Sequence, residues 1–230
     1  MTIKAIFLDF YGTLVHEDDD IIPIICEKVR ANTNIEYTNQ EIGIFWWKTF
    51  SEMFKNSWGN TFKAQRLLGI ESLEETIRFY QSKCKAKEII QIQFEHWIKP
   101  KIFEDTKMFL ESITDCSVYI LSNIDTNDIQ EAMSYHDIRV DGVITSEDVK
   151  AYKPRAELFL EALKRYALKN CEVIHVGDSI TSDVYGAQAV GIDAVWLNRK
   201  GKNTSKEIEP KYICKNLKEV KNIIDKTVCR

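Results

Sequence analysis

The chain is predicted to be an α/β protein, a doubly wound parallel five-stranded sheet with an inserted helical segment. Three observations carry this. Short β-branched runs alternate with amphipathic stretches through the second half of the chain, the pattern of parallel strands covered by helices on both faces. The first strand-like run is instead followed, from Leu14 to Pro100, by helical periodicity with no convincing strand. A chain of 230 residues, 44% hydrophobic, has the length and composition to bury a sizeable core.

In chain order, the candidate strands run from Lys4 to Phe10, Ser117 to Leu121, Gly142 to Thr145, Glu172 to Val176 and Asp193 to Leu197, with helical segments between the last four. Within the strandless stretch, Ile42, Phe45, Trp46, Thr49, Phe50, Met53 and Phe54 recur at three- and four-residue spacing and mark one helix face, with Gly59 as its stop. Ser72 and Glu75 have capping-box spacing ahead of Leu73, Ile77 and Tyr80. Ile89, Ile90, Phe94 and Trp97 form a further apolar stripe, and Asp18 to Asp20 read as the N-terminal cap of a helix containing Pro23. Asn198 to Pro210 is polar and loop-like, and Leu217, Val220, Ile223 and Ile224 predict a closing helix.

Composition narrows the function classes. With 31 Lys and Arg against 35 Asp and Glu, the net charge of -4 offers no long-range attraction to nucleic acid or anionic membrane. A small-molecule substrate fits better, and the oligomeric state is not legible. No apolar run reaches bilayer length, and MTIKAIFLDF lacks the features of a secretory signal, so a cytoplasmic protein is expected. Cys26, Cys84, Cys116, Cys171, Cys214 and Cys229 form no CxxC pair and are expected as unpaired thiols, with Cys116 and Cys171 as small hydrophobes before strands. His96, His136 and His175 show no metal-ligand spacing, and His175 is expected to be a core histidine.

Ligands of an open parallel sheet bind beyond the carboxyl ends of its strands, so polar residues at the strand exits deserve the closest reading. The first exit carries Asp9, Tyr11, Gly12 and Thr13, and the second Ser122 and Asn123. Lys153 and Pro154 follow the third strand; Gly177, Asp178, Ser179 and Asp183 follow the fourth. Each alone is an ordinary turn former or solvated charge. Their convergence on one rim points to an active site.

DFYGTL, LSN, YKP and GDSITSD resemble, in order, the four signature motifs of the haloacid dehalogenase superfamily. The resemblance implies a Rossmann-like core with strand order 5-4-1-2-3, formed by residues 1–14 and 100–230, and a helical cap formed by residues 15–99. It implies Asp9 as nucleophile, with Ser122 and Lys153 as its catalytic partners. It also implies a Mg2+ ion held by Asp9, the backbone carbonyl of Tyr11, Asp178 and Asp183, the last directly or through water. A carboxylate attacking a phosphate ester needs such a cation to neutralise the phosphoryl oxygens. Ser122, Asn123 and Lys153 would contact the substrate, while Thr13 and Gly12 would support the turn after the first strand.

One position departs from the phosphatase pattern. Most phosphatases of the superfamily place a second Asp two residues after the nucleophile, where this chain has Tyr11; a phenol of pKa about 10 is a poor acid-base group at neutral pH. The 2-haloacid dehalogenases carry Tyr there, and the halide they expel needs no proton. Against that reading, no halide-binding Arg stands near Asn39 to Ile44, Arg30, Arg66 and Arg78 read as exposed helix residues, and dehalogenases lack the acidic pair of GDSITSD. Phosphonate cleavage through Lys48, Lys55 or Lys63 has no feature singling out any of the three. His16 and Glu17 are further acid-base candidates. A magnesium-dependent phosphatase is therefore expected, with dehalogenase and catalytically degenerate binding protein as alternatives.

Overall fold

β1 (Ala5–Leu8) lies inside the sheet with both faces buried, which is why its sequence, AIFL, shows no polar alternation. The computed structural model describes residues 2–203 and 208–228. Five more strands follow, β2 (Ser117–Ser122), β3 (Gly142–Thr145), β4 (Val173–Gly177), β5 (Asp193–Leu197) and β6 (Tyr212–Cys214). All pair in parallel, in the order β3-β2-β1-β4-β5-β6. The five expected strands keep the order 5-4-1-2-3, and an unexpected sixth extends the edge beside β5. β6 escapes prediction because it is three residues long, with only Cys214 buried. Part of the polar stretch before it, residues 204–207, lies outside the described residues, as does Cys229.

Between β1 and β2 come α1 (Ile22–Ala31), α2 (Asn39–Lys55), α3 (Gln65–Phe79), α4 (Ala86–Ile89) and α5 (Gln91–Ile98). α6 (Thr106–Ser112) leads back to the sheet, and α7 (Thr126–His136), α8 (Ser146–Val149), α9 (Glu157–Arg165), α10 (Gly186–Ala189) and α11 (Leu217–Val228) alternate with the later strands. The sheet separates two apolar cores. One gathers Ile6, Leu8, Ile120, Ile174 and Val176 and runs on into the inserted helices through Leu14, Ile25, Ile42 and Trp97; the other holds Phe7, Leu121, Ile144, Phe159 and Trp196. Each large apolar side chain so buried contributes roughly 1.5–3 kcal/mol. Among the described residues, no helix is long and apolar enough to cross a membrane.

Several local expectations inside the insertion are corrected. On α2 only Ile42 and Trp46 of the predicted stripe are buried, and the helix ends at Lys55, with Asn56 rather than Gly59 at its C-terminus. The N–H of Gly59 instead donates to the carbonyl of Lys150. Ser72 starts no helix: it sits inside α3, accepts from Trp46 Nε1 at 3.0 Å and donates to the Gly69 carbonyl. The α3 N-terminus is capped from across the fold by Asp125, whose two oxygens accept from the amides of Gln65 (2.6 Å) and Arg66 (3.0 Å). A local sequence pattern cannot register that cap. Arg66 is half-buried rather than exposed, forked onto Asp128 by bonds of 2.6–3.0 Å and stacked 4.5 Å from the Phe94 ring centroid. Asp18 to Asp20 form a 3-10 turn with no capping bond to α1; Asp18 accepts from Gln93 Nε2 and Trp97 Nε1. Cys171 is exposed rather than packed before its strand.

Asp105 fastens the closing helix. Its carboxylate accepts from Arg199 at 2.9 and 3.1 Å and from the Leu217 amide at 2.8 Å, at the start of α11. Burial pushes its pKa up, but these donors outweigh burial and hold it below the ordinary 3.8. A carboxylate of lowered pKa stabilises the fold above its unfolded value and loses that contribution as pH falls through the folded one. Asp105→Asn is accordingly expected to cost about 1–3 kcal/mol at neutral pH. Urea titrations of both proteins should show the gap closing as the pH is lowered below the ordinary carboxylate range.

Candidate active site

Strand register assembles the site. Leu8 lies opposite Ile120 on β2 and Val176 on β4, so the next residue, Asp9, emerges beside Leu121 and Gly177 at the C-terminal rim. The Asp9 amide continues the pairing, donating to the Val176 carbonyl at 2.9 Å. Gly12 turns the chain back with φ of +84°, and a side chain there would put its Cβ 2.6 Å from the Asp178 carboxylate. Glycine is thus required twice over, for the backbone angle and for the approach of Asp178.

Lys153 joins the parts. Only 1% exposed, its ammonium donates to Asp9 Oδ1 (2.8 Å), Asp183 Oδ1 (2.6 Å) and the Leu121 carbonyl (2.8 Å), which uses all three protons. Burial opposes its charge, but the two carboxylates outweigh burial and raise its pKa, so it stays protonated. The backbone of Lys153 is held by Asn123, whose side-chain oxygen accepts from its N–H (2.7 Å) and whose amide donates to its carbonyl (3.0 Å). The Asn123 side chain is therefore committed to Lys153, so any contact of Asn123 with substrate would fall to its backbone amide.

The three carboxylates differ sharply. Asp183 is satisfied at both oxygens: Oδ1 accepts from Lys153 and from His175 Nε2 (3.0 Å), and Oδ2 from the Ser179 amide (3.0 Å). Burial would raise its pKa, but Lys153 and His175 overcome that and hold it below the carboxylate range. Asp9 is pushed up to about 7, chiefly by burial, with Lys153 opposing and Asp183 reinforcing the rise. Thr13, fully buried, donates to Asp9 Oδ2 at 3.2 Å and so faces the carboxylate. Asp178 is raised well above its ordinary value by burial and then by Glu17, Asp9 and Asp183. Its nearest cation among the described residues is Lys202, at 3.6 Å.

Carboxylate oxygens of Asp9, Asp178 and Asp183 lie within 4.8 Å of one another. Three such groups face one buried ammonium, a formal excess of two negative charges when all are ionised, and Asp178 has no hydrogen-bond donor of its own among the described residues. This donor set of hard oxygens and uncompensated charge fits a divalent cation. Ser122 is buried at the same rim, at the end of β2. A cleft of about 250 Å³ opens beside Asp178, lined also by Gly12, His16, Glu17 and Lys202. His16 stacks on Phe103 with centroids 4.0 Å apart, and burial lowers its pKa.

Tyr11 turns away from acid-base chemistry. Its hydroxyl donates to the Trp97 carbonyl on α5 at 2.5 Å, and burial, followed by Asp128, Asp18 and Asp9, raises its pKa well above 10.0. His175, read from the sequence as a core residue, is fully buried but touches the site through Asp183. Nothing local distinguishes it from an ordinary strand position. Its partner lies eight residues on, beyond the end of the strand.

A parallel sheet with carboxylates and a lysine gathered at its C-terminal rim under a helical insertion defines a class of α/β hydrolase. Residues 3–191 match the model of the haloacid dehalogenase-like hydrolases, and the chain belongs to that family. It is 29% identical over 140 residues to the haloacid dehalogenase-like hydrolase domain-containing protein 3 of Danio rerio, covering 55% of this chain and 52% of that protein. It thus spans about half the length of that relative. A glyceraldehyde 3-phosphate phosphatase of Pyrococcus furiosus is 33% identical over 88 residues, 36% of each chain. The (S)-2-haloacid dehalogenase 4A of Burkholderia cepacia is 23% identical over 237 residues, covering 100% of this chain and 98% of that one. The HAD-hydrolase YfnB of Bacillus subtilis, solved bound to magnesium, superposes with a TM-score of 0.78 over 98% of this chain and 100% of its own, at 16% identity, a likeness of fold.

Removing the buried ammonium tests the arrangement. Lys153→Met leaves Asp9 and Asp183 facing each other without their shared cation, and is expected to cost about 3–5 kcal/mol in urea denaturation. Asp183→Asn added to the same chain should recover a substantial part of that loss.

Proposed function

We propose that the protein is a magnesium-dependent phosphatase acting on a small phosphorylated metabolite, with Asp9 as the nucleophile. The observation that supports it best is that three carboxylates share one buried ammonium at the rim, a formal surplus of negative charge, and that Asp178 has no hydrogen-bond donor among the described residues. Metal-free halide displacement has no use for that surplus, whereas phosphoryl transfer requires a divalent cation. Asp9, the Tyr11 carbonyl and Asp178 would hold the ion, with Asp183 reaching it directly or through water. Bound there, magnesium supplies charge neutralisation on the phosphoryl oxygens and in-line orientation of the attack.

The chain's own groups do the rest. Lys153 keeps one Asp9 oxygen fixed and Thr13 steadies the other, so the carboxylate is oriented before substrate arrives. An Asp9 oxygen attacks phosphorus, the bond from phosphorus to the ester oxygen breaks, and water later hydrolyses the acyl phosphate formed on Asp9. Ser122 and the Asn123 amide would steady a phosphoryl oxygen, with the Lys153 charge close by.

A second reading rests on Tyr11. With its hydroxyl committed to Trp97 and its proton tightly held, it gives an alkoxide leaving group no acid, which suits the expulsion of halide from a 2-haloacid. The two readings separate in one assay. Hydrolysis of p-nitrophenyl phosphate, whose leaving group needs little protonation, should require Mg2+, stop with EDTA and vanish in Asp9→Asn. Halide release from 2-chloropropionate without metal would select the dehalogenase instead. Tyr11→Asp should speed hydrolysis of alkyl phosphates more than of the nitrophenyl ester, by roughly the 10²–10⁴-fold that a positioned acid supplies at most. An equal effect on both esters would show that leaving-group protonation is not limiting.

A further inference from the structure

His175 occupies a position that β-sheet packing alone would fill with an aliphatic residue. On β4 it lies between Phe7 of β1 and Ala194 of β5, fully buried, with the ring of Phe159 edge-on at 5.1 Å. An imidazole there must give up water at two nitrogens, which is costly unless both are bonded. Nε2 meets Asp183 Oδ1 at 3.0 Å. Among the described residues Nδ1 has no partner of normal hydrogen-bond geometry, only the looser approach of the Phe7 backbone. The one well-formed interaction that the imidazole gains is the bond to Asp183.

That bond completes a fixed chain of contacts. Asp183 Oδ1 receives both Lys153 Nζ and His175 Nε2, Oδ2 receives the Ser179 amide, and the carboxylate lies so close over Gly177 that an added Cβ would stand 2.2 Å from its Cγ. Both Asp183 oxygens thus carry donors, in contrast to Asp178, and one acceptor site is left on Oδ2. With Asp183 ionised, the contact is a hydrogen bond only when Nε2 carries a ring proton and donates it.

We propose that His175 is a positioning residue of the hydrolase: by donating from Nε2 it pins Asp183 onto Lys153, which keeps the lysine on Asp9. The effect on turnover rests on the phosphatase reading above; the proton position on the ring does not. Without His175, Oδ1 loses one of two donors, and Asp183 is free to turn toward the cation or away from Lys153. Asp9 then loses part of its orientation. Second contacts of this kind are worth about 10–100-fold in activity.

The test pairs His175→Leu, which removes the donor but fits an apolar layer, with His175→Gln, whose amide can donate from nearly the same place. In the metal-free wild type, ¹⁵N–¹H correlation of the His175 ring should show a protonated Nε2; a bare Nε2 overturns the proposal. With Mg2+ and p-nitrophenyl phosphate, His175→Leu should lower kcat about 10–100-fold while KM moves by less than about threefold and the melting temperature does not fall. His175→Gln should restore most of kcat. Wild-type kcat in His175→Leu, or glutamine no better than leucine, overturns it as well. If the wild type itself shows no Mg2+-dependent hydrolysis, the phosphatase reading fails, and the ring spectrum still decides the role of His175.

Discussion

A single buried ammonium organises this protein. Lys153 has no water to solvate it, so its charge is sustained only by acceptors delivered from three places: Asp9 after β1, the Leu121 carbonyl of β2, and Asp183 beyond β4. Neighbouring strands must keep register for these to meet. A slip of one residue would turn Asp9 to the opposite face and leave the lysine with an unpaired charge inside the fold. The rim is therefore also a check on correct folding, because strand pairing sets where the segments carrying Asp9, Lys153 and Asp183 meet.

The inserted helices are fastened to the loops that build this rim. Asp125, three residues beyond Ser122, caps α3, and Asp128 grips Arg66. The Tyr152 hydroxyl, next to Lys153, donates to the Lys63 carbonyl, and the Gly59 amide donates to Lys150. Tyr11 adds a bond from the first loop to Trp97. The cover and the chemistry thus share anchors, so a shift of α3 is felt at the segments that carry Ser122, Asn123 and Lys153.

The order of strand exits made the core of this arrangement legible from sequence, because each motif is a local string: a strand, then a carboxylate, hydroxyl or lysine. Relations between distant segments were not. The start of α3 was misplaced because its cap, Asp125, comes from another part of the fold, and Ser72 mimics a cap while serving Trp46. Arg66 looked like a solvated helix residue because Asp128 and Phe94 are far away in sequence. β6 has too few residues to show a period, and no local pattern reveals that both ends of the Asn123 side-chain amide hold Lys153. His175 was placed correctly in the core, but its bond to Asp183 depends on the tight turn after β4.

The charge pattern at the rim distinguishes roles among look-alike acids: Asp183 carries donors on both oxygens, Asp9 is oriented, and Asp178 has no hydrogen-bond donor among the described residues. On this account the site binds one divalent cation, and Asp178 contributes most to its affinity. Calorimetric titration of Mg2+ into the wild type and Asp178→Asn measures this directly. The account predicts one saturable site per chain, weakened by at least about tenfold in the variant. Absence of saturable binding to the wild type, or equal binding by both proteins, would contradict it.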